Sequence, residues 1–203
     1  MIPNVTVVVL PAFTRSASHV SLFTRQVADA GFHAIAIDLA PRFLPIAYMY
    51  KRHLRRIAAK FSTSNQGAEV VLVGHSAGAA AASFLALAMQ SEGVHVKGVV
   101  FADGVDSPNH LIRESLKKLE GMKVAAVLAP PSPCNRQGSL EQFLVDYPWV
   151  RVTTVPGAGH GDIEGAGIPI YRRFCADNSS PQAAARFRQI LINHVEWIVS
   201  SGN

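Results

Sequence analysis

Residues 70–83 read VVLVGHSAGAAAAS, and the way this stretch folds decides the architecture. Val70 to Val73 is an unbroken apolar, β-branched run of the kind buried on both faces of a parallel sheet. Ala79 to Met89 is small and apolar and reads as a helix lying close against that strand. Between them stands Gly74-His75-Ser76-Ala77-Gly78, a G-x-S-x-G turn. A chain that reverses from strand to helix within one or two residues strains the backbone of the serine at the bend. Side chains two before and two after it would collide, which explains the two glycines.

The rest of the chain repeats the strand-then-helix rhythm. Five further apolar runs, Val5 to Leu10, Ala34 to Ile37, Lys97 to Ala102, Lys123 to Leu128 and Arg151 to Val155, are separated for the most part by helical patterns. Ser21 to Ala30 places Leu22, Phe23 and Val27 on one face, and His110 to Leu119 turns Leu111, Ile112, Leu116 and Leu119 inward. The last helix starts at Pro181 behind the N-cap candidate Ser180 and carries a stripe through Phe187, Ile190, Leu191, His194, Val195 and Ile198. Alternation of this kind predicts one α/β domain over residues 1–203, with a mostly parallel sheet of six strands covered by helices on both faces.

Composition narrows the function classes. Hydrophobic residues make up 49% and charged residues 16% of the 203, which excludes a disordered chain. No apolar run reaches the roughly 18 residues of a membrane span. The N-terminus lacks a basic leader pattern, so a cytoplasmic protein is expected. A net charge of +5 admits a polyanionic partner, and its densest part is KRHLRRIAAK at 51–60. Leu54, Ile57, Ala58 and Phe61 share one helical face there, so the basic groups read as a solvated face. Nucleic acid or a membrane surface is the alternative, but no nucleic-acid module signature is present. Cys134 and Cys175 are too far apart for a C-x-x-C site; they are either two free thiols or a disulfide between two loops.

A serine hydroxyl needs a base. Among eight histidines, His160 in VPGAGHGDIEG directly follows the sixth strand on a glycine-rich turn, at the carboxyl end of the sheet where Ser76 lies. The N–H of Ala77, the residue after the serine, opens a helix and points to where a carbonyl oxygen would gain charge. A second donor is expected from LPAFTRSAS after the first strand; Pro11 has no N–H, and Phe13 is preferred to Ala12.

The order of a strand leading to an oxyanion loop, then GHSAG, then GAGHGD near the C-terminus resembles the α/β-hydrolase fold over essentially the whole chain. The chain begins at what looks like the third strand of that fold, without the usual first two. In most members the triad acid follows the strand before the histidine strand, yet from Val124 to Leu140 there is no Asp or Glu. Asp103, in VVFADGVDSP directly after the fourth strand, takes that role by resemblance to the branch of platelet-activating-factor acetylhydrolases and chlorophyllases. PSPCN and FCAD are similar to segments of dienelactone-hydrolase-like proteins. Asp106, before Pro108, reads as a helix cap. Asp162 stands too near His160 in sequence to orient it.

The resemblance implies a serine hydrolase cleaving a carboxylic ester, thioester or lactone through an acyl-enzyme on Ser76, with Asp103 and His160 completing the triad and no cofactor or metal. Acyl transfer, C–C bond hydrolysis and a non-catalytic receptor are the alternatives. Residues 41–66 and 161–180 break the strand–helix rhythm and are expected to flank one pocket. Tyr48, Tyr50, Ile163 and Tyr171 are its candidate lining, and an apolar small-molecule substrate is expected. Arg42, Arg172 and Arg173 are carboxylate-binding candidates that also read as surface charges. Oligomeric state is not legible.

Overall fold

The computed structural model describes residues 5–41, 43–65, 67–164, 173–175 and 178–200. In chain order the elements are β1 (Val5–Leu10), α1 (Ser21–Asp29), β2 (His33–Ala36), α2 (Lys51–Ser64), β3 (Glu69–His75), α3 (Ala77–Ser91), β4 (His95–Ala102), α4 (Leu111–Leu116), β5 (Lys123–Leu128), α5 (Ser139–Leu144), β6 (Arg151–Thr154) and α6 (Pro181–Ser200). Short 3₁₀ turns lead into α1 and α2. The six strands form one sheet in the order β2-β1-β3-β4-β5-β6, and every neighbouring pair is parallel. Helix α5 was not expected from the sequence, because SLEQFL is too short to show a period.

The apolar runs are strands because both of their faces are covered. All six residues of β1 are buried, while the edge strands β2 and β6 have only four residues each and are partly exposed. Alternate strand residues serve two cores. Val8, Leu10, Leu72, Phe101 and Ala126 pack against α2 to α5, and Val7, Val9, Val73, Val100 and Val127 face α1 and α6. Helix α3 lies directly on the sheet centre, where only small side chains fit, and Ala77 to Ser83 are all buried. The basic helix α2 turns Leu54, Ala58 and Phe61 inward and leaves its cations outside.

Because the strands are parallel, their carboxyl ends lie along one edge of the sheet. That edge carries the turn after β1, Ser76 after β3, Asp103 after β4, residues 129–138 after β5 and His160 after β6. Among the described residues no helix is long and apolar enough to cross a membrane.

Helix α6 carries a titratable group in its buried stripe. His194 is 4% exposed, and its Nε2 lies 3.1 Å from Thr153 Oγ1. Burial, with Arg151 nearby, pushes its pKa down to about 4. The unfolded chain takes up this proton near pH 6.5, so the folded state loses stability as pH falls from about 6.5 through 4. We expect thermal unfolding to show a decline of about 3 kcal/mol across that window. His194→Gln, which stays neutral, should flatten the slope, and an unchanged slope would show that other groups govern acid stability.

Candidate active site

The turn at residues 74–78 is built as its glycines require. Ser76 has φ 52° and ψ −120°, a strained conformation for a residue with a side chain. A Cβ on Gly74 would come within 2.4 Å of the Gly78 carbonyl oxygen, and one on Gly78 within 2.5 Å of both the Leu10 and Pro11 carbonyl oxygens. The second contact presses the turn after β1 against the start of α3. The bend is held by the Ser76 N–H donating to Ala102 O at 3.1 Å and by Ser76 O accepting from the N–H groups of Ala79 and Val105, both at 3.0 Å.

His160 Nε2 lies 3.0 Å from Ser76 Oγ. Its Nδ1 lies 2.6 Å from Asp103 Oδ2. A carboxylate only accepts, so Nδ1 carries the proton, leaving Nε2 to accept from the serine hydroxyl. All three side chains are buried, with Ser76, Asp103 and His160 exposed by 8%, 2% and 7%. Asp103 has φ 45°, fixed by its N–H donating to Val127 O at 2.7 Å. Asp106 instead accepts from the N–H groups of Ser107 and Ile112, both at 2.8 Å, and caps α4. Asp162 accepts from Gly159 N–H at 2.8 Å and from the Ser179 hydroxyl at 2.6 Å, bracing the turn beneath His160.

Sequence reading missed Asn135. It is 2% exposed, and its Nδ2 donates to Asp103 at 3.1 Å and 3.3 Å. Its Oδ1 accepts from the N–H groups of Ser132 and Gly138 at 2.8 Å and 3.0 Å. With Ala129 N–H at 3.0 Å and His160, the Asp103 carboxylate has four donor contacts. The lack of any acid from Val124 to Leu140 was the available signal, since a loop without its own carboxylate is free to supply donors to a neighbour's. Cys134, next to Asn135, forms a disulfide with Cys175, with Cα atoms 5.1 Å apart. This decides between the two alternatives left open by the sequence.

The N–H groups of Phe13 and Ala77 have no hydrogen-bond partner among the described residues, and both residues line the same cavity as Ser76. The cavity holds about 520 Å³. Ile46, Tyr48 and Met49 line it together with Gly161, Phe174 and the disulfide, so described residues of the 41–66 and 161–180 segments share one cavity. Tyr48 is buried, and its ring stands 5.9 Å from that of Phe13. Tyr50 lines a separate shallow concavity and is half exposed. Ile163 is fully buried in the core shared with α1 and α6 and does not line the cavity. A loop residue expected in the pocket is thus a packing residue, because its 3₁₀ turn points it down into the sheet face. Tyr171, Arg42 and Arg172 lie outside the described residues, and Arg173 is exposed.

His75, which also lines the cavity, turns its ring toward the backbone of His160. Its Nε2 donates to the His160 carbonyl at 2.8 Å, and its Nδ1 faces Glu164 Oε1 at 3.4 Å. Arg15 binds the other Glu164 oxygen at 3.2 Å. Burial pushes the Glu164 carboxyl up, but His75, Arg15 and His19 outweigh it and hold the group below the usual carboxylate range. Among the described residues no group of three His, Cys, Asp or Glu side chains is placed to hold a metal ion.

A family described as Lipase (class 3) matches residues 10–105, a span that includes the turn after β1, Ser76 and Asp103 and stops short of His160. No curated protein matches the sequence. Among solved structures, the chain is similar to TT1662 from Thermus thermophilus, at 16% identity over 98% of this chain and 91% of the other, with a TM-score of 0.65. It is similar to the RedJ thioesterase of the prodiginine biosynthetic pathway in Streptomyces coelicolor, at 16% identity over 85% and 88% of the two chains and a TM-score of 0.55. It also resembles the NocB thioesterase domain from the nocardicin cluster, solved as a covalent complex with a fluorophosphonate nocardicin G analog, at 14% identity over 97% and 95% and a TM-score of 0.61. At such identities the likeness is one of architecture, and with the six-stranded parallel sheet and the strained serine turn it leads to one conclusion: this chain has the α/β-hydrolase fold.

Proposed function

We propose that the protein is a serine hydrolase that cleaves a carboxylic ester or thioester through an acyl-enzyme on Ser76. The observation that carries this reading is the continuous chain from Ser76 Oγ through the His160 imidazole to Asp103, 3.0 Å and 2.6 Å per link. His160 Nε2 takes the hydroxyl proton as Ser76 attacks the carbonyl carbon. The carbonyl oxygen becomes an oxyanion, for which the Phe13 and Ala77 N–H groups are the donors. His160 then returns the proton to the leaving alkoxide or thiolate, and water, deprotonated by the same imidazole, releases the acid. Asp103 orients the ring and stabilises the imidazolium.

The class 3 lipase match supports the hydrolase reading over the part of the chain that holds the nucleophile and acid. That two similar structures are named thioesterases extends the reading to sulfur leaving groups. The largely apolar cavity suits a medium-sized acyl group. The disulfide favours an oxidising compartment over the cytoplasm expected from the sequence.

Treatment with a fluorophosphonate should label the wild-type chain once and leave Ser76→Ala unlabelled. The same substitution should lower kcat on a p-nitrophenyl ester by roughly 10³ or more. Near-native turnover by Ser76→Ala would exclude this nucleophile.

Asp103→Asn tests the carboxylate without a backbone penalty, because Asn tolerates positive φ well. The loss expected is on the order of 10⁴ in kcat. Asp106→Asn should cost mainly about 1 kcal/mol of stability through a weakened cap. Retained activity in the first with loss in the second would reverse the assignment.

Asn135 separates support of the loop from support of the acid. Asn135→Asp keeps the oxygen that accepts from Ser132 and Gly138 but turns an acceptor toward Asp103. Both Asn135→Asp and Asn135→Ala are expected to lower kcat by about 10- to 100-fold with KM little changed, the worth of a hydrogen bond to a charged group. Near-normal activity in the Asp variant alone would show that Asn135 acts only through its loop.

A further inference from the structure

The charged groups that line the cavity are nearly all answered from within the protein. Arg15 and Glu164 pair at 3.2 Å. Asp162 is held by Gly159 and Ser179, and Asp106 Oδ1 accepts from Ser107 and Ile112 at the start of α4 while its Oδ2 lies 3.5 Å from the Arg113 N–H. Arg136 is the exception, since its guanidinium makes no ion pair or hydrogen bond among the described residues. It nevertheless lines the same cavity as Ser76, Tyr48 and the disulfide.

The chain goes to some length to keep this residue where it is. Arg136 and Gln137 have φ of 52° and 56°, two successive left-handed residues with side chains, followed by Gly138 at 71°. Such a run persists only where the surroundings over-determine it. Here Asn135 Oδ1 gathers the N–H groups of Ser132 and Gly138, Gln137 N–H donates to Ser132 O at 2.9 Å, and Cys134 is tied to Cys175. The cation is therefore carried by a rigid loop whose root also holds Asp103. Its charge reaches the Tyr48 hydroxyl: burial raises the Tyr48 pKa, Arg136 opposes the rise, and Asp106 adds to it. An exposed guanidinium with no protein partner among the described residues, on the lining of a cavity it shares with the Tyr48 phenol, is a receptor for anionic oxygens.

Building on the hydrolase reading above, we propose that the substrate carries a carboxylate or phosphate on the part that lies toward Tyr48, and that Arg136 receives this group and sets the specificity of the site. The negative charge of such a substrate would be paired on binding, while its apolar segment spans the distance to Ser76. The loop after β5 would then serve both ends of the substrate, steadying Asp103 through Asn135 and selecting the charged terminus through Arg136.

The test compares p-nitrophenyl hexanoate with the equally long p-nitrophenyl hydrogen adipate and with the ester bearing a terminal phosphate. Wild type should prefer at least one anionic ester over the neutral one by roughly tenfold or more in kcat/KM, mainly through KM, and the preference should weaken as salt is raised. Arg136→Gln should bring that ratio close to one, and Arg136→Glu should invert it. Gln already occupies the same backbone region at position 137, so the Gln variant changes charge without asking for a new conformation. Which anion is preferred distinguishes carboxylate from phosphate. A wild-type preference for the neutral ester, or an anion preference that survives in Arg136→Gln, overturns the proposal. Calorimetric binding of monomethyl adipate and of its phosphate counterpart to Ser76→Ala, and its loss in Ser76→Ala/Arg136→Gln, reads the same contact without turnover. If anion binding depends on Arg136 while no ester is cleaved, the hydrolase reading fails and the anion site stands; if neither anion binds Ser76→Ala while esters are cleaved, the reverse holds.

Discussion

The arrangement depends first on a steric constraint, the reversal of β3 into α3 at Ser76. The chain turns back within a single left-handed residue, so the backbone on either side approaches itself and its neighbours too closely for any side chain. The oxygen of Gly78 would meet a Cβ on Gly74, and those of Leu10 and Pro11 would meet one on Gly78. The same contacts bring the turn after β1 against the start of α3, so Phe13 and Ala77, whose N–H groups have no partner among the described residues, line one cavity. They also require the first two turns of α3 to be small, which is why Ala77 to Ser83 can all be buried against the sheet.

A second constraint is the housing of a buried carboxylate. Asp103 is almost fully removed from water, where an ionised group without partners would be costly. The protein supplies those partners from the two neighbouring strand ends. Ala129 and Asn135 come from the turn after β5, and His160 comes from the turn after β6. Parallel pairing makes this possible, because β4, β5 and β6 lie side by side with their carboxyl ends together. The disulfide closes the arrangement by joining the loop that carries Asn135 to the segment beyond His160.

Within the same cavity lining, the His75, Glu164 and Arg15 cluster binds the turn after β1 to the turn after β6. His75 is next to Ser76 in sequence but belongs to this support, holding the His160 carbonyl. The cavity walls are thus held by polar contacts among their own residues as well as by the two apolar cores.

Much of this was written locally in the chain. The six strands were legible because unbroken β-branched runs mark buried parallel strands, and their limits shifted by only one or two residues. The places of Ser76 and Ala77 at the turn from β3 into α3, and of His160 on the glycine-bearing loop after β6, were legible because each lies beside its own turn residues. The position of Asp103 at a strand end, and the capping look of Asp106, could likewise be read from neighbours in sequence. Other features were decided only by tertiary structure, since they rest on distances between loops remote in sequence. Asn135 had no local mark, and its importance comes from a carboxylate 32 residues away. Ile163 looked like a pocket residue until its turn directed it into the core, while Tyr48 reached the cavity and Tyr50 did not. The pairing of Cys134 with Cys175 and the lack of a counter-charge for Arg136 among the described residues have the same origin: proximity across the carboxyl edge of a parallel sheet is set by strand order, which no local pattern encodes.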